Sequence, residues 1–148
     1  MIGIAIHAYN LINGILAGCV GITACCAYVS LNSAAIIGVV ASFVVIFATV
    51  FLDKLRVDDP VGAIPVHLFC RFWGTIAVGL FSGGPKMYGK YGLLDGPTAG
   101  LFLGGGFDSL YPQLIGFGAI ILTTGIISSI FLICNENAKA SSSLDFED

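Results

Sequence analysis

The sequence predicts an all-α integral membrane protein with four transmembrane helices, and three observations carry this prediction. Of the 148 residues, 57% are hydrophobic and only 10% are charged, and the mean hydropathy is +0.97. A soluble domain carries about a quarter charged residues, so six basic and nine acidic side chains are too few to cover a globule. The apolar residues are gathered into four stretches of about 20 residues, the length with which a helix crosses the hydrocarbon core.

Each apolar stretch is predicted to form one membrane-spanning helix. The spans in order are about residues 11–30 (LINGILAGCVGITACCAYVS), 34–52 (AAIIGVVASFVVIFATVFL), 61–81 (VGAIPVHLFCRFWGTIAVGLF) and 110–134 (LYPQLIGFGAIILTTGIISSIFLIC), the first with an alternative start in the preceding IGIAIHAY. A minimal turn joins the first two spans, and a glycine-rich segment precedes the fourth. Small residues recur in the spans, as in the GxxxG of Gly14 and Gly18. They are predicted to let the helices approach closely.

The spans divide the chain into a transmembrane domain, residues 1–134, and a polar tail, residues 135–148. The tail is Ser-rich and acidic, so we expect it to be mobile. An even number of spans places both ends of the chain on one side of the membrane. The basic residues are divided almost evenly between the two sides, and their small excess beside the tail places the tail in the cytoplasm.

Composition and motifs argue against several other classes of protein. The net charge of −3 disfavours nucleic acid as a partner. The five cysteines lie in apolar stretches, with neither a CxxC nor a His/Cys ligand spacing. We therefore predict no metal site, no cofactor and no disulfide framework. The sequence shows no nucleophile–base pair, which argues against an enzyme.

The third span begins with acidic residues and contains a proline. Asp58 and Asp59 precede Pro60, and acidic side chains at a helix start complement the helix dipole. Proline suits the first helical position, so Pro60 is the predicted helix start. Pro65 removes a backbone hydrogen bond and is predicted to kink the span.

His67 is an ionisable residue inside this predicted span. It follows Pro60 by seven residues, which is about 10 Å of helix and close to the membrane midplane. Ionisable residues at that depth face a bundle interior or a pathway. A neutral imidazole suits a pathway because it can donate and accept a hydrogen bond and pass on a proton. The alternative is a histidine that only hydrogen-bonds a neighbouring helix.

Three ordered motifs resemble the ammonium transporter family (Amt/Mep/Rh). They are NGILAGCVGITACCAYVS followed by AAIIGVV, then DKLRVDDPVGAIPVH followed by Cys70 and WGTIAVGLF, and finally GLFLGGGFDSLYPQL. The resemblance covers residues 10–134. It implies a fold of eleven membrane helices assembled as a trimer, in which each subunit has its own narrow pore. This chain resembles the last four spans, the C-terminal part of that fold.

The resemblance also implies roles for individual residues in transport of ammonium or ammonia. His67 matches the second of two histidines that stand side by side in the pore, and Ala63 is expected on the same conduit face. Asp58 and Asp59 match an acidic pair at the cytoplasmic helix start, where we expect them to organise the inner mouth. The first pore histidine and the outer-mouth aromatic residues lie on spans that this sequence does not contain. The plasma membrane is the location that the resemblance implies.

Arg71 departs from the family pattern, which has glycine at positions 68 and 71, where this chain has Leu68 and Arg71. An arginine four residues after His67 is expected to obstruct the pore unless it snorkels outward or pairs with a carboxylate. Two hypotheses follow. The chain is either a C-terminal piece of an ammonium channel that acts with the missing spans, or a non-conducting membrane interaction protein, a degenerate relic. Both a truncated gene product and a genuine short protein fit the sequence.

Overall fold

A computed structural model describes the backbone of residues 2–85 and 96–144, and the side chains of residues 9–85 and 96–136. Its regular elements are helices, which confirms the all-α fold. They are α1 (Ile2–Thr23), α2 (Leu31–Lys54), a π-helix (Ile64–Phe69) that continues into α3 (Cys70–Phe81), a 3-10 helix (Leu101–Leu103) and α4 (Leu110–Leu144). The glycine-rich connection before α4 falls partly outside the described residues.

The first helix ends earlier than the sequence predicted. α1 ends at Thr23, whereas the predicted span ran to residue 30. Residues 24–29 form turns, and Ser30 then caps α2 by accepting a hydrogen bond from the Ser33 N–H at 3.3 Å. The prediction was wrong here because this turn is itself apolar, with Cys25 and Val29 buried. Hydropathy alone does not separate a buried turn from a membrane helix.

The last helix extends beyond its predicted end. α4 continues through Leu144, whereas the predicted span ended at residue 134 and was followed by a mobile tail. The sequence after Gly125 contains neither glycine nor proline up to the end of the helix. It therefore has none of the residues that most strongly stop a helix. The cytoplasmic placement and the mobility of the tail stay predictions.

The described chain divides into two compact units, Met1–Leu114 and Ile115–Asp148. In the first unit, α1, α2 and α3 pack around two small apolar clusters. One consists of Ala17, Ala41, Val45, Val66 and Cys70, and the other of Cys25, Val29, Ile37, Ala77 and Val78. Trp73 contacts both clusters, and its indole N–H donates to the Ile37 carbonyl at 3.0 Å. The indole therefore fixes α3 against α2 with both apolar contact and a hydrogen bond.

Gly74 allows α3 to approach α1 closely, and Gly21 allows α1 to approach α2. A β-carbon at Gly74 would collide with the Gly21 carbonyl, and one at Gly21 would lie 2.9 Å from the Ala41 β-carbon. The predicted GxxxG pair is less crowded. A β-carbon at Gly14 would meet nothing within 4 Å, and one at Gly18 would make only an ordinary contact of 3.9 Å. The prediction that small residues let the helices approach closely is confirmed, but the positions at which a side chain would collide are Gly21 and Gly74.

The helices have the length and composition of membrane spans. Among the residues that the structure describes, three helices qualify on both grounds: Leu31–Lys54, Ile64–Phe81 and Leu110–Glu136. The part of α1 whose side chains are described, Tyr9–Thr23, is an apolar but shorter helix. In the second unit, the side chains of residues 119–136 are exposed and mostly apolar. Exposed apolar side chains on helices of this length are typical of helices that contact lipid or other membrane helices.

Candidate functional site

Asp59 fixes the start of the helix that carries His67. Its two carboxylate oxygens accept hydrogen bonds from the backbone N–H groups of Ala63, at 3.0 Å, and Ile64, at 2.8 Å. The N–H groups of a first helical turn have no intrahelical partner, so the carboxylate satisfies them and complements the helix dipole. Asp58 is exposed and does not take part in this cap.

The helix begins at Ala63, and Pro60 lies in the preceding turn. The prediction that Pro60 starts the helix was therefore wrong. The physical reason is Gly62, whose φ of +69° reverses the local backbone and keeps residues 60–62 out of the helix. His67 consequently lies four residues inside the helix, or about 6 Å along its axis, rather than about 10 Å.

The first turn and a half of this helix is a π-helix. Ile64–Phe69 is followed by Cys70, whose N–H donates to the Pro65 carbonyl five residues earlier. Pro65 lies in the first turn, where a missing N–H leaves no hydrogen bond unmade. The predicted mid-span kink therefore does not arise from this proline. Single π turns are found often at functional sites, and this one contains His67.

His67 and Ala63 share one exposed face of the helix. Together with Ile64 and Leu68 they line a shallow depression, as their spacing of one helical turn predicts. His67 makes no hydrogen bond within the part of the chain that the structure describes. The alternative role, a histidine bonded to a neighbouring helix, therefore has no support among the described residues.

Arg71 lies in a different groove from His67. Its neighbours there are Val20 and Thr23 at the end of α1, Ala24 directly after it, and Thr75 on α3. The Thr75 hydroxyl donates to the Arg71 carbonyl at 2.9 Å, so it contributes nothing to neutralising the guanidinium. No carboxylate pairs with Arg71 among the described residues. The structure thus brings Ala63 and His67 together and places Arg71 in a separate groove.

Two residues beside the helix start were missed by sequence reasoning, Asn13 on α1 and Gly62. Asn13 is 6% exposed, and its amide nitrogen has no acceptor among the described residues. Tyr9 and Asn13 occupy the space in which a side chain at Gly62 would lie. A glycine directly before a helix start was a usable signal, whereas nothing in the sequence indicates that Asn13 contacts it.

A metal site is not formed by the described residues. In residues 9–85 and 96–136, no group of three His, Cys, Asp or Glu side chains could hold an ion. A groove of about 660 Å³ in the first unit has an apolar lining of α2 residues with Phe69. It does not include His67, so the candidate site is the Ala63–His67 face rather than this groove.

Comparison with known proteins identifies the family of this chain. The model of the Ammonium Transporter Family matches residues 5–139. Ammonium transporter 3 of Dictyostelium discoideum is 39% identical over 121 residues, which are 81% of this chain and 27% of the relative. Ammonium transporter Amt2 of Archaeoglobus fulgidus is 45% identical over 92 residues, 62% of this chain and 19% of the relative. Ammonium transporter 1 member 1 of Arabidopsis thaliana is 38% identical over 120 residues, 81% of this chain and 23% of the relative.

These matches define both the family and the extent of the likeness. The chain spans between 19% and 27% of the length of these three relatives. No solved structure matches the chain significantly. The relatives are transporters rather than enzymes by name, and the family match covers all four predicted spans completely. The resemblance seen in the motifs is confirmed: this chain is a multi-pass membrane protein that belongs to the Ammonium Transporter Family.

Proposed function

We propose that this chain forms the His67-bearing part of a conduit that moves ammonium, as ammonia, across a membrane. The observation that carries the proposal is the exposed face shared by Ala63 and His67 in a chain of this family. Within the described residues, the depression beside this face is lined only by Ala63, Ile64, His67 and Leu68. The other wall is supplied by further spans of an ammonium transporter, which the chain covers only in part.

The chemistry of ammonium explains why a histidine suits this position. A bare cation is costly in the membrane interior, so ammonium gives up its proton and crosses as neutral ammonia, while His67 accepts the proton and relays it across separately. An imidazole can donate a hydrogen bond to ammonia, accept one from it, and take or return a proton. An alkali cation can neither lose a proton nor form such bonds, so the conduit rejects it.

The acidic pair has two different roles in this proposal. Both carboxylate oxygens of Asp59 are bonded to backbone N–H groups, so Asp59 holds the helix rather than the substrate. Asp58 is exposed beside it and contributes negative charge at the cytoplasmic mouth. We place the assembled protein, a trimer, in the cell membrane with the tail of this chain in the cytoplasm.

A second candidate function is a membrane interaction protein that associates with transporter subunits and does not conduct. Arg71 favours it, because the structure shows no carboxylate beside the guanidinium in the described part of the chain. A permanent positive charge four residues from His67 opposes the approach of ammonium before it loses its proton. The two functions differ in one respect that can be measured, which is flux through an assembled pore.

The first test uses the chain alone. Produced in cells that lack their own ammonium transporters, it is expected to give no uptake of radiolabelled methylammonium above that of empty cells. The reason is that one exposed helix face cannot enclose a conduit, and the partner histidine is absent. Ammonium transporter 3 of D. discoideum in the same cells is the positive control. Uptake by the isolated chain would show that no further spans are needed.

The second test uses a chimera in which residues 10–134 of this chain replace the matching segment of the D. discoideum transporter. The conduit function predicts measurable methylammonium uptake by this chimera, reduced by Arg71. The interaction function predicts a chimera that reaches the membrane but conducts neither with Arg71 nor after its replacement. Quantifying the chimera at the cell surface separates loss of conduction from loss of protein.

A further inference from the structure

Gly62 connects the helix cap to the first helical turn. Its N–H donates to the Asp59 carbonyl at 3.2 Å, and its carbonyl accepts from the Val66 N–H at 3.2 Å. The residue before His67 is therefore bonded directly to Gly62. Any displacement of Gly62 moves the turn on which Ala63 and His67 lie.

The backbone of Gly62 has a conformation that other residues adopt only with strain. Its φ is +69°, in the left-handed region, where a β-carbon crowds the following carbonyl oxygen. Gly62 is also buried. A β-carbon built there would lie 2.6 Å from the Tyr9 hydroxyl and 2.6 Å from the Asn13 amide nitrogen. The glycine is thus required by its own torsion angle and by the two α1 side chains against it.

Asn13 is a buried amide that gains no hydrogen bond for its nitrogen. Its Nδ2 atom has no acceptor in the described part of the chain, and the residue is 6% exposed. Burying such a group is unfavourable, so hydrogen bonding of this nitrogen does not explain the presence of asparagine. The side chain instead lies against Gly62, the residue directly before the His67 helix.

We propose that Asn13 and Gly62 are positioning residues, which hold the start of the His67 helix against α1 and so fix the direction of the Ala63–His67 face. Neither residue touches the substrate. The contact between Asn13 and Gly62 lies within this chain and does not depend on any further span. Its effect on transport rests on the function proposed above. Asp59 acts on the same turn through its cap.

The proposal is tested first on the full chain in lipid nanodiscs, by hydrogen exchange of backbone amides. Gly62→Ala forces a β-carbon into the left-handed conformation. It is expected to speed exchange of the amides of residues 63–67 about tenfold. Gly38→Ala is the matched control, because its β-carbon would meet nothing within 4 Å. Equal exchange in both variants would overturn the proposal.

The contribution of Asn13 is tested by a double-mutant cycle. Asparagine tolerates the left-handed conformation better than alanine, so Gly62→Asn mainly introduces the collision with α1. Asn13→Ala removes one of the colliding groups and is expected to reverse part of the faster exchange caused by Gly62→Asn. If the effects of Gly62→Asn and Asn13→Ala on the free energy of amide exchange are strictly additive, the two residues do not act together. If Gly62→Ala fails to fold, the Gly62→Asn cycle still gives this result.

A second readout in the chimera distinguishes positioning from the proposed function. Gly62→Ala is expected to lower the preference for ammonium over potassium about tenfold at equal surface amount, and Gly38→Ala is expected to leave it unchanged. Faster exchange in Gly62→Ala without any conduction by the parent chimera would leave the positioning role intact and overturn the proposed function. If the parent chimera conducts, and Gly62→Ala changes neither the hydrogen exchange nor the cation preference, the proposed function stands and the positioning role is overturned.

Discussion

Replacing Arg71 by glycine in the chimera is expected to raise ammonium flux about a hundredfold. Arg71 lines a different groove from His67 but follows it by only four residues, so its charge acts on an ammonium ion that has not yet lost its proton. At about 6 Å and an effective dielectric constant near 20, this charge costs the ion roughly 3 kcal/mol. The guanidinium cannot escape this cost by losing its proton. The described residues also provide no carboxylate to neutralise it. The measurement is the initial rate of methylammonium uptake, normalised to the amount of chimera at the surface.

Two further variants separate the charge of Arg71 from its size. Arg71→Lys keeps the charge and is expected to leave uptake near that of the parent. Arg71→Gln removes the charge but retains much of the length, so it is expected to recover most of the increase. A parent chimera that already conducts as well as the D. discoideum transporter, with no gain from Arg71→Gly, would place Arg71 away from the conduit. The groove that Arg71 shares with the end of α1 would then be its only environment.

Replacing His67 by alanine in the same chimera is expected to impair selectivity. The imidazole is the group on this face that can bond ammonia and handle its proton. Without it, we expect the preference for ammonium over potassium to fall about tenfold, the equivalent of one ordinary hydrogen bond. Currents recorded with each cation in turn, in the Arg71→Gly background, measure this ratio.

The control for this variant is Val39→Ala on α2. Val39 is exposed like His67 but lies on another helix and does not line the depression beside Ala63. It is expected to leave both the flux and the cation preference unchanged. An unchanged preference in His67→Ala would show that the imidazole does not line the pathway, whatever the total flux.

Much of the fold followed from local composition, and the errors have identifiable physical causes. α2 was predicted to within three residues at each end, because its apolar run is flanked by a Ser cap and by Lys54. The end of α1 was missed because Cys25 and Val29 are apolar residues of a buried turn. Pro60 was taken as a helix start because proline fits that position, although the φ of Gly62 excludes it.

The candidate site was predictable in part. Ala63 and His67 share a face because residues one turn apart do so in any regular helix. The same spacing suggested that Arg71 lies beside His67, yet the two residues line different grooves. Asn13 could not be found at all, because its contact with Gly62 depends on how α1 packs against the third span. Contacts between residues far apart in sequence require the tertiary structure.

The most direct measurement is an experimental structure of the chimera in a lipid bilayer. If this chain supplies a conduit wall, the imidazole of His67 and the methyl group of Ala63 will face a narrow channel enclosed by protein. A second histidine from the D. discoideum segment will then lie within hydrogen-bond reach of His67. An imidazole that instead contacts lipid, with no channel beside it, would contradict the proposal that this face carries ammonia.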